Sequence, residues 1–228
     1  MGTLVVILVA LIALPAVGME PSTEDLGAHA PITIIITSGR MERSLESQTG
    51  AVSVLELSEE DRQGPVAGLG DLLDPVPGVF AASRFNGAQD LRLSVRGFGA
   101  RGNFGIRGIR ILLDGFPLTL PDGQSALDDL DPALIARAEV RRGPAGSLYG
   151  SSAGGVISLE SPDLFASTGL FAGASTGSYG TYEGRLGYGS VYGDQALGAQ
   201  ASLRHSDGYR DHSKQEHRLA TLKYQGDF

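Results

Sequence analysis

The sequence predicts an α+β domain followed by antiparallel strands of the membrane-barrel kind, and three observations carry that prediction. Between residues 51 and 160, short alternating runs are interleaved with brief helical signals. From residue 168 onward the runs lengthen to roughly ten residues, apolar on one face and polar on the other, as in outer-membrane strands. Glycine supplies 33 of the 228 residues, about twice its ordinary share, which asks for turns and close backbone approaches. The chain has no Cys and a formal charge of −8. That excludes disulfides, thiol nucleophiles and Cys-ligated metal centres. It also argues against a nucleic-acid partner, which needs a basic face.

The elements follow in order. Residues 3–17 form one apolar run followed by the small residues Ala16 and Gly18. The run falls short of the ~20 residues of a membrane helix and reads as a signal peptide over 1–18, although no Lys or Arg precedes it. A buried helix is the alternative. Residues 19–31 are polar and read as a flexible leader. Ile32 to Thr37 is an uncharged run of six β-branched residues. It is either the first strand of a sheet or a strand held for the edge of another protein's sheet. Residues 51–57 alternate as a strand, and Val66 to Leu73 reads as a short helix stopped by Pro75 and Pro77. Strands are expected at 79–82, 91–95 and 109–113, with a polar loop over 84–90 and a glycine-rich one over 97–108. Asp131-Pro132 is a helix start with a capping acid and Pro at the first helical position; the helix is expected to reach about Arg137. A strand from Ala138, a helical turn over Pro144 to Tyr149 and a strand over 156–160 complete the α+β domain. Alternation then resumes around Tyr182–Tyr188, Leu197–Leu203 and Ala220–Tyr224. Turns are expected at 177–180 and 192–194, and a longer polar loop near 207–215.

Two motifs invite enzymatic readings, and their surroundings argue against both. Gly97 to Gly102 matches G-x-G-x-x-G, but no helix opens at its third glycine to receive a pyrophosphate. Gly150 to Gly154 matches G-x-S-x-G around Ser152. A nucleophile elbow needs a strand before the Ser and a helix after it, whereas here a turn precedes and a strand follows. His205, His212 and His217 share no common face and read as solvated loop residues, so no metal site is expected.

A series of segments resembles the plug domain of TonB-dependent outer-membrane receptors. They are Ile32 to Arg40, Leu69 to Gly78 (LGDLLDPVPG), Leu93 to Gly99 (LSVRGFG), Leu112 to Pro117 (LLDGFP), Ile135 to Pro144 (IARAEVRRGP), Ser147 to Gly150 and Gly154 to Ile157. The resemblance implies a transporter of the Gram-negative outer membrane, not an enzyme and with no cofactor of its own. In this family a plug fills a barrel of about 22 strands. The implied organisation is a TonB box over 32–37, a plug over 38–162 and the first four or so strands of an incomplete transmembrane β-barrel over 163–228. The implied partners are TonB with its inner-membrane energising complex, outer-membrane lipid and a scarce small ligand. That ligand is a ferric siderophore or ferric citrate by default, with cobalamin as an alternative.

The resemblance also assigns residues. Thr33, Ile34, Ile35, Ile36 and Thr37 would bind TonB by strand addition, with the plug and box facing the periplasm. Arg84, Phe85, Asn86, Arg101, Asn103, Phe104 and Gln124 lie where the family has its apical plug loops and would contact ligand. Arg96 and Arg142 match plug arginines that pair with glutamates of the barrel wall, and Glu139 is a possible local partner for Arg142. The 66 residues after Pro162 suffice for about four strands at ~9–11 residues each. Four strands cannot close, and an open edge is not tolerated in lipid, so an N-terminal fragment is expected. A free-standing periplasmic plug-like module, or a non-functional truncation, is the alternative.

Overall fold

The computed structural model describes residues 35–36, 43–44, 50–58, 68–82, 91–102, 105–125, 127 and 130–226, all within one compact unit. The expected signal peptide and leader lie outside them, as do Thr33, Ile34, Thr37, Arg84, Phe85, Asn86, Asn103 and Phe104.

A five-stranded sheet organises the first part. Its strands are β3 (Ala51–Glu56), β10 (Arg137–Arg142), β11 (Gly155–Glu160), β7 (Ile109–Leu113) and β8 (Phe116–Pro117), in that order across the sheet. The pair β11–β7 is parallel and the other neighbours are antiparallel. Alternation decides the two faces. Ile109, Ile111, Ala138, Val140, Ile157 and Leu159 point one way and form the main core with Leu69, Leu72 and Leu73 of helix α1 (Leu69–Leu73). Val76 and the Leu93 and Val95 side chains of β5 (Arg92–Val95) complete it. Leu112, Ala145, Tyr149 and Val156 form a smaller cluster on the opposite face. Strand β5 pairs with β4 (Val79–Ala82), and β6 (Ile106–Arg107) with β9 (Gln124–Ser125). A two-residue β1 (Ile35–Ile36) pairs antiparallel with β2 (Arg43–Ser44).

The helix expected from Asp131 to Arg137 is only a 3₁₀ turn over Pro132–Leu134. Its start is as expected, since the Asp131 carboxylate accepts the Ala133 N–H at 3.0 Å and Pro132 opens the turn. Its length is decided elsewhere. The Ala136 N–H donates to the Glu160 carbonyl, and the Ala136 carbonyl accepts from the Leu57 N–H, both at 2.8 Å. Those backbone groups are already committed to the sheet, so tertiary pairing overrides the local helix signal. The turn before β11 is the expected one, α2 (Gly146–Tyr149).

The second part is a four-stranded antiparallel meander: β12 (Gly169–Gly177), β13 (Thr181–Tyr192), β14 (Gln195–Ser206) and β15 (Gln215–Gly226). The turns fall where the sequence puts them, with Tyr179, Gly180 and Gly193 at positive φ. Among the described residues β12 and β15 each keep one unpaired edge, and the sheet does not close into a barrel.

Candidate functional site

The meander has two chemically different faces. Register places Leu170, Tyr188, Ala199 and Leu222 in one row across all four strands. Leu170 and Leu222 of that row are each 73% exposed, and Leu186, Leu197, Tyr192 and Tyr224 on the same face are exposed too. The other face carries Glu183, Arg185, Arg204, His217 and Lys223, which line cavities shared with residues of the first part. Apolar outside and polar inside is the pattern of a strand between lipid and a filled lumen.

The junction between the two parts is tightly built. The Asp114 carboxylate, on a β-turn residue at φ +49°, accepts the Ser161 N–H at 2.8 Å and its hydroxyl at 2.6 Å. The Lys223 ammonium donates to Ser161 Oγ at 2.6 Å and to the Pro162 carbonyl at 2.8 Å. Gln225 accepts the Leu164 N–H at 3.1 Å and donates to Asp163 at 2.9 Å. Leu164 lies over Gly198, where any Cβ would come within 2.7 Å of its Cδ2. Residues 161–164 are thus pinned to β15. Hydrogen bonds to a charged group contribute about 1.5–3 kcal/mol each. We therefore expect Lys223→Met to raise hydrogen exchange at Leu164 by roughly tenfold and to leave Ile157 unchanged. Equal rates at Leu164 in both proteins would show that the ammonium does not hold the junction.

Of the residues expected to contact ligand, Arg101 and Gln124 are described. Arg101 is exposed on a turn. Gln124 is half-buried, and its Oε1 accepts from Arg107 at 3.0 Å. Arg107 sits opposite Gln124 in the β6–β9 register and also reaches Asp122 at 3.7 Å. Sequence reading missed Arg107, because only the pairing of two strands seventeen positions apart brings it to Gln124.

The two arginines expected to face a barrel wall differ. Arg96 is exposed at φ +49°. Arg142 donates to the Pro77 carbonyl at 2.6 Å and to Ser53 Oγ at 2.9 Å. Glu139 is not its partner: three positions apart on one strand puts the two on opposite faces. Glu139, fully buried, instead meets Arg137 at 2.9 Å. The histidines also need correction. His205 and His217 lie in β14 and β15 on opposite faces of the meander, and only His212 lies in the connecting loop. Ser152 is 1% exposed and donates to the Gly150 carbonyl at 3.2 Å. A helical turn precedes it and a strand follows, the reverse of a nucleophile elbow.

The family model described as TonB-dependent Receptor Plug Domain matches residues 44–157. This chain belongs to that family. The matched plug segment contains both arginines and all of the five-stranded sheet except the last three residues of β11. The hemin receptor of Yersinia pestis is 36% identical over 177 residues, covering 76% of this chain and 24% of that protein. The hemin receptor of Yersinia enterocolitica is 32% identical over 193 residues, covering 78% and 27%. The plug-domain chain therefore spans about a quarter of the length of these curated relatives. Among solved structures, the alcaligin outer-membrane receptor FauA from Bordetella pertussis aligns at a TM-score of 0.64 and 18% identity, over 85% of this chain and 32% of that one. The pyoverdine receptor FpvA from Pseudomonas aeruginosa, solved with pyoverdine bound, aligns at 0.65 and 18%, over 85% and 28%. At that identity the likeness shows the fold: a plug followed by antiparallel strands. These relatives are receptors rather than enzymes, and neither the cobalamin alternative nor the free-standing module is favoured.

Proposed function

We propose that these residues serve an outer-membrane receptor that imports an iron-bearing small ligand, haem foremost, under the drive of TonB. The observation that carries the reading is the joining of a family plug to a sheet that is apolar outside and polar inside. The hemin receptors among the relatives favour haem over a ferric siderophore, since they stand at 36% and 32% identity against 18% for FauA and FpvA. The domain limits follow the sequence reading, with the box at 32–37, the plug to 162 and the wall from 163. The apical loops containing Arg84, Phe85, Asn86, Arg101, Asn103, Phe104 and Gln124 would face arriving ligand, and the box would face the periplasm. Arg96, exposed and following the end of β5, would meet a wall carboxylate.

For the box, strand addition needs a strand with an available edge. Ile35 and Ile36 form such a strand, and among the described residues β1 pairs with β2 alone. We expect the C-terminal domain of TonB to bind the purified chain, and Ile35→Pro, which removes a backbone donor, to weaken it by at least about tenfold, roughly 1.4 kcal/mol. Binding that survives the Pro contradicts strand addition. For transport, a host lacking its other receptors should grow on hemin as iron source only with both this gene and TonB intact. Growth on hemin without TonB would refute the reading.

A further inference from the structure

The β6–β9 ribbon has one buried and one open side. Ile106 and Ser125 are opposite each other on the buried side, 1% and 0% exposed. Arg107 and Gln124 are opposite each other on the open side, as alternation requires. The buried side anchors the ribbon to the main sheet. Ser125 Oγ lies 2.6 Å from Thr119 Oγ1, which accepts the Ile111 N–H of β7 at 3.0 Å. The backbone of Gln124 is held too. Its N–H donates to Asp122 Oδ1 at 3.0 Å, and its carbonyl accepts the Leu120 N–H at 2.8 Å. What such a fixed strand can still vary is the direction of the side-chain amide.

Arg107 decides that direction. A guanidinium only donates, so the amide atom 3.0 Å from its Nη2 is the oxygen, Oε1. A flipped amide would set N–H against N–H. The –NH₂ end is therefore turned away from Arg107 and lies over Gly105. Gly105 sits at φ +62°, and any Cβ there would collide with Nε2 and Cγ of Gln124, so the glycine makes room for the amide. Among the described residues Nε2 donates to nothing. The nearby charges offset each other. Asp122 lies 3.7 Å from Arg107, both side chains more than half exposed, and its carbonyl accepts from Arg107 Nη1 at 3.4 Å. What the ribbon offers outward is a pair of neutral N–H donors in a set orientation.

We infer that Arg107 is a positioning residue: it fixes the Gln124 amide donor-outward, so that this part of the plug selects a ligand bearing oxygen acceptors, a carboxylate above all. The inference rests on the reading above in which residue 124 faces arriving ligand. An N–H donating to a carboxylate oxygen is a charge-assisted bond, whereas a ligand N–H brought to the same place meets another donor.

The test measures binding of hemin, and separately of ferric citrate, to the whole 228-residue chain in detergent. Quenching of tyrosine fluorescence reports it, since the chain has no Trp. Gln124→Glu keeps an oxygen toward Arg107 but replaces the two donors by a second oxygen. It should weaken binding by at least about tenfold, with a urea midpoint no lower than that of wild type. Arg107→Met lets the amide turn and should weaken binding by about threefold to tenfold. In a Gln124→Ala background the same Arg107→Met should cost nothing further, because its action runs through the amide. Losses that add in that double variant would show Arg107 meeting the ligand itself and overturn the inference. Unchanged affinity in Gln124→Glu would overturn it as well, and with TonB-dependent growth on hemin retained would leave the proposed import standing. Ferric citrate following the expected pattern while hemin fails to bind would support the positioning role and remove haem from the reading. A wild-type chain that binds neither overturns the inference.

Discussion

Gly155→Val is expected to destabilise the plug by about 3–5 kcal/mol, the sum of backbone strain and overpacking. Gly155 opens β11 at φ +151°, a backbone conformation that L side chains rarely adopt. It also faces Arg142 at the end of the β10–β11 ladder, and a Cβ there would collide with the Arg141 carbonyl oxygen. The strand has no room to retreat. Its other side is the parallel pairing with β7, where Gly155 is opposite Ile109, itself fully buried. Urea unfolding of the purified chain, followed by hydrogen exchange at Val140 and Ile157, measures the effect. Gly146→Ala is the control, because Gly146 opens α2 with nothing near its would-be Cβ; its midpoint should move by less than ~0.5 kcal/mol-equivalent. Equal shifts for the two variants would falsify the steric argument.

The second large effect concerns charge on the opposite face of the same sheet. Arg137 is 19% exposed at its side chain and reaches three carboxylates: Glu139 at 2.9 Å, Glu160 at 3.5 Å and Glu56 at 3.9 Å. Glu139 is the one that matters energetically, since its side chain is 0% exposed. Glu56 is mostly in water, where an ion pair contributes little. Arg137→Met keeps the apolar stem and removes the cation. Breaking a buried pair from one side typically costs about 3–5 kcal/mol, and that is the loss expected in the same urea experiment. Arg137→Met with Glu139→Leu should recover most of it, because no buried charge is then left to balance. A double variant as unstable as the single one would mean that packing around Glu139, not charge, sets the stability.

Much of the fold was legible because it rests on short-range rules. Alternation located β5, β7, β11 and the meander strands β13, β14 and β15; Pro75 and Pro77 ended α1; the glycines at 180 and 193 placed the hairpin turns. The helix from Asp131 was overestimated for the opposite reason. Its cap is local and was readable, but its end was decided by hydrogen bonds to Glu160 and Leu57, residues remote in sequence. The site was less legible. Arg107 reaches Gln124 only through the β6–β9 pairing, and Arg142 finds Ser53 only because β3 lies beside β10.

The sequence by itself determined the order of elements, the two periodicities and the family resemblance, because each depends on residues within a few positions of one another. Tertiary structure decided which charges meet and which way each functional side chain faces. Glu139 belongs to Arg137 rather than Arg142, Lys223 closes on Ser161 from sixty-two positions away, and His217 faces the cavity while His205 faces outward. The physical reason is register. A strand offers its side chains to two faces in strict alternation. The partner on each face is chosen by hydrogen-bonded ladders between distant segments, which no local window of sequence contains.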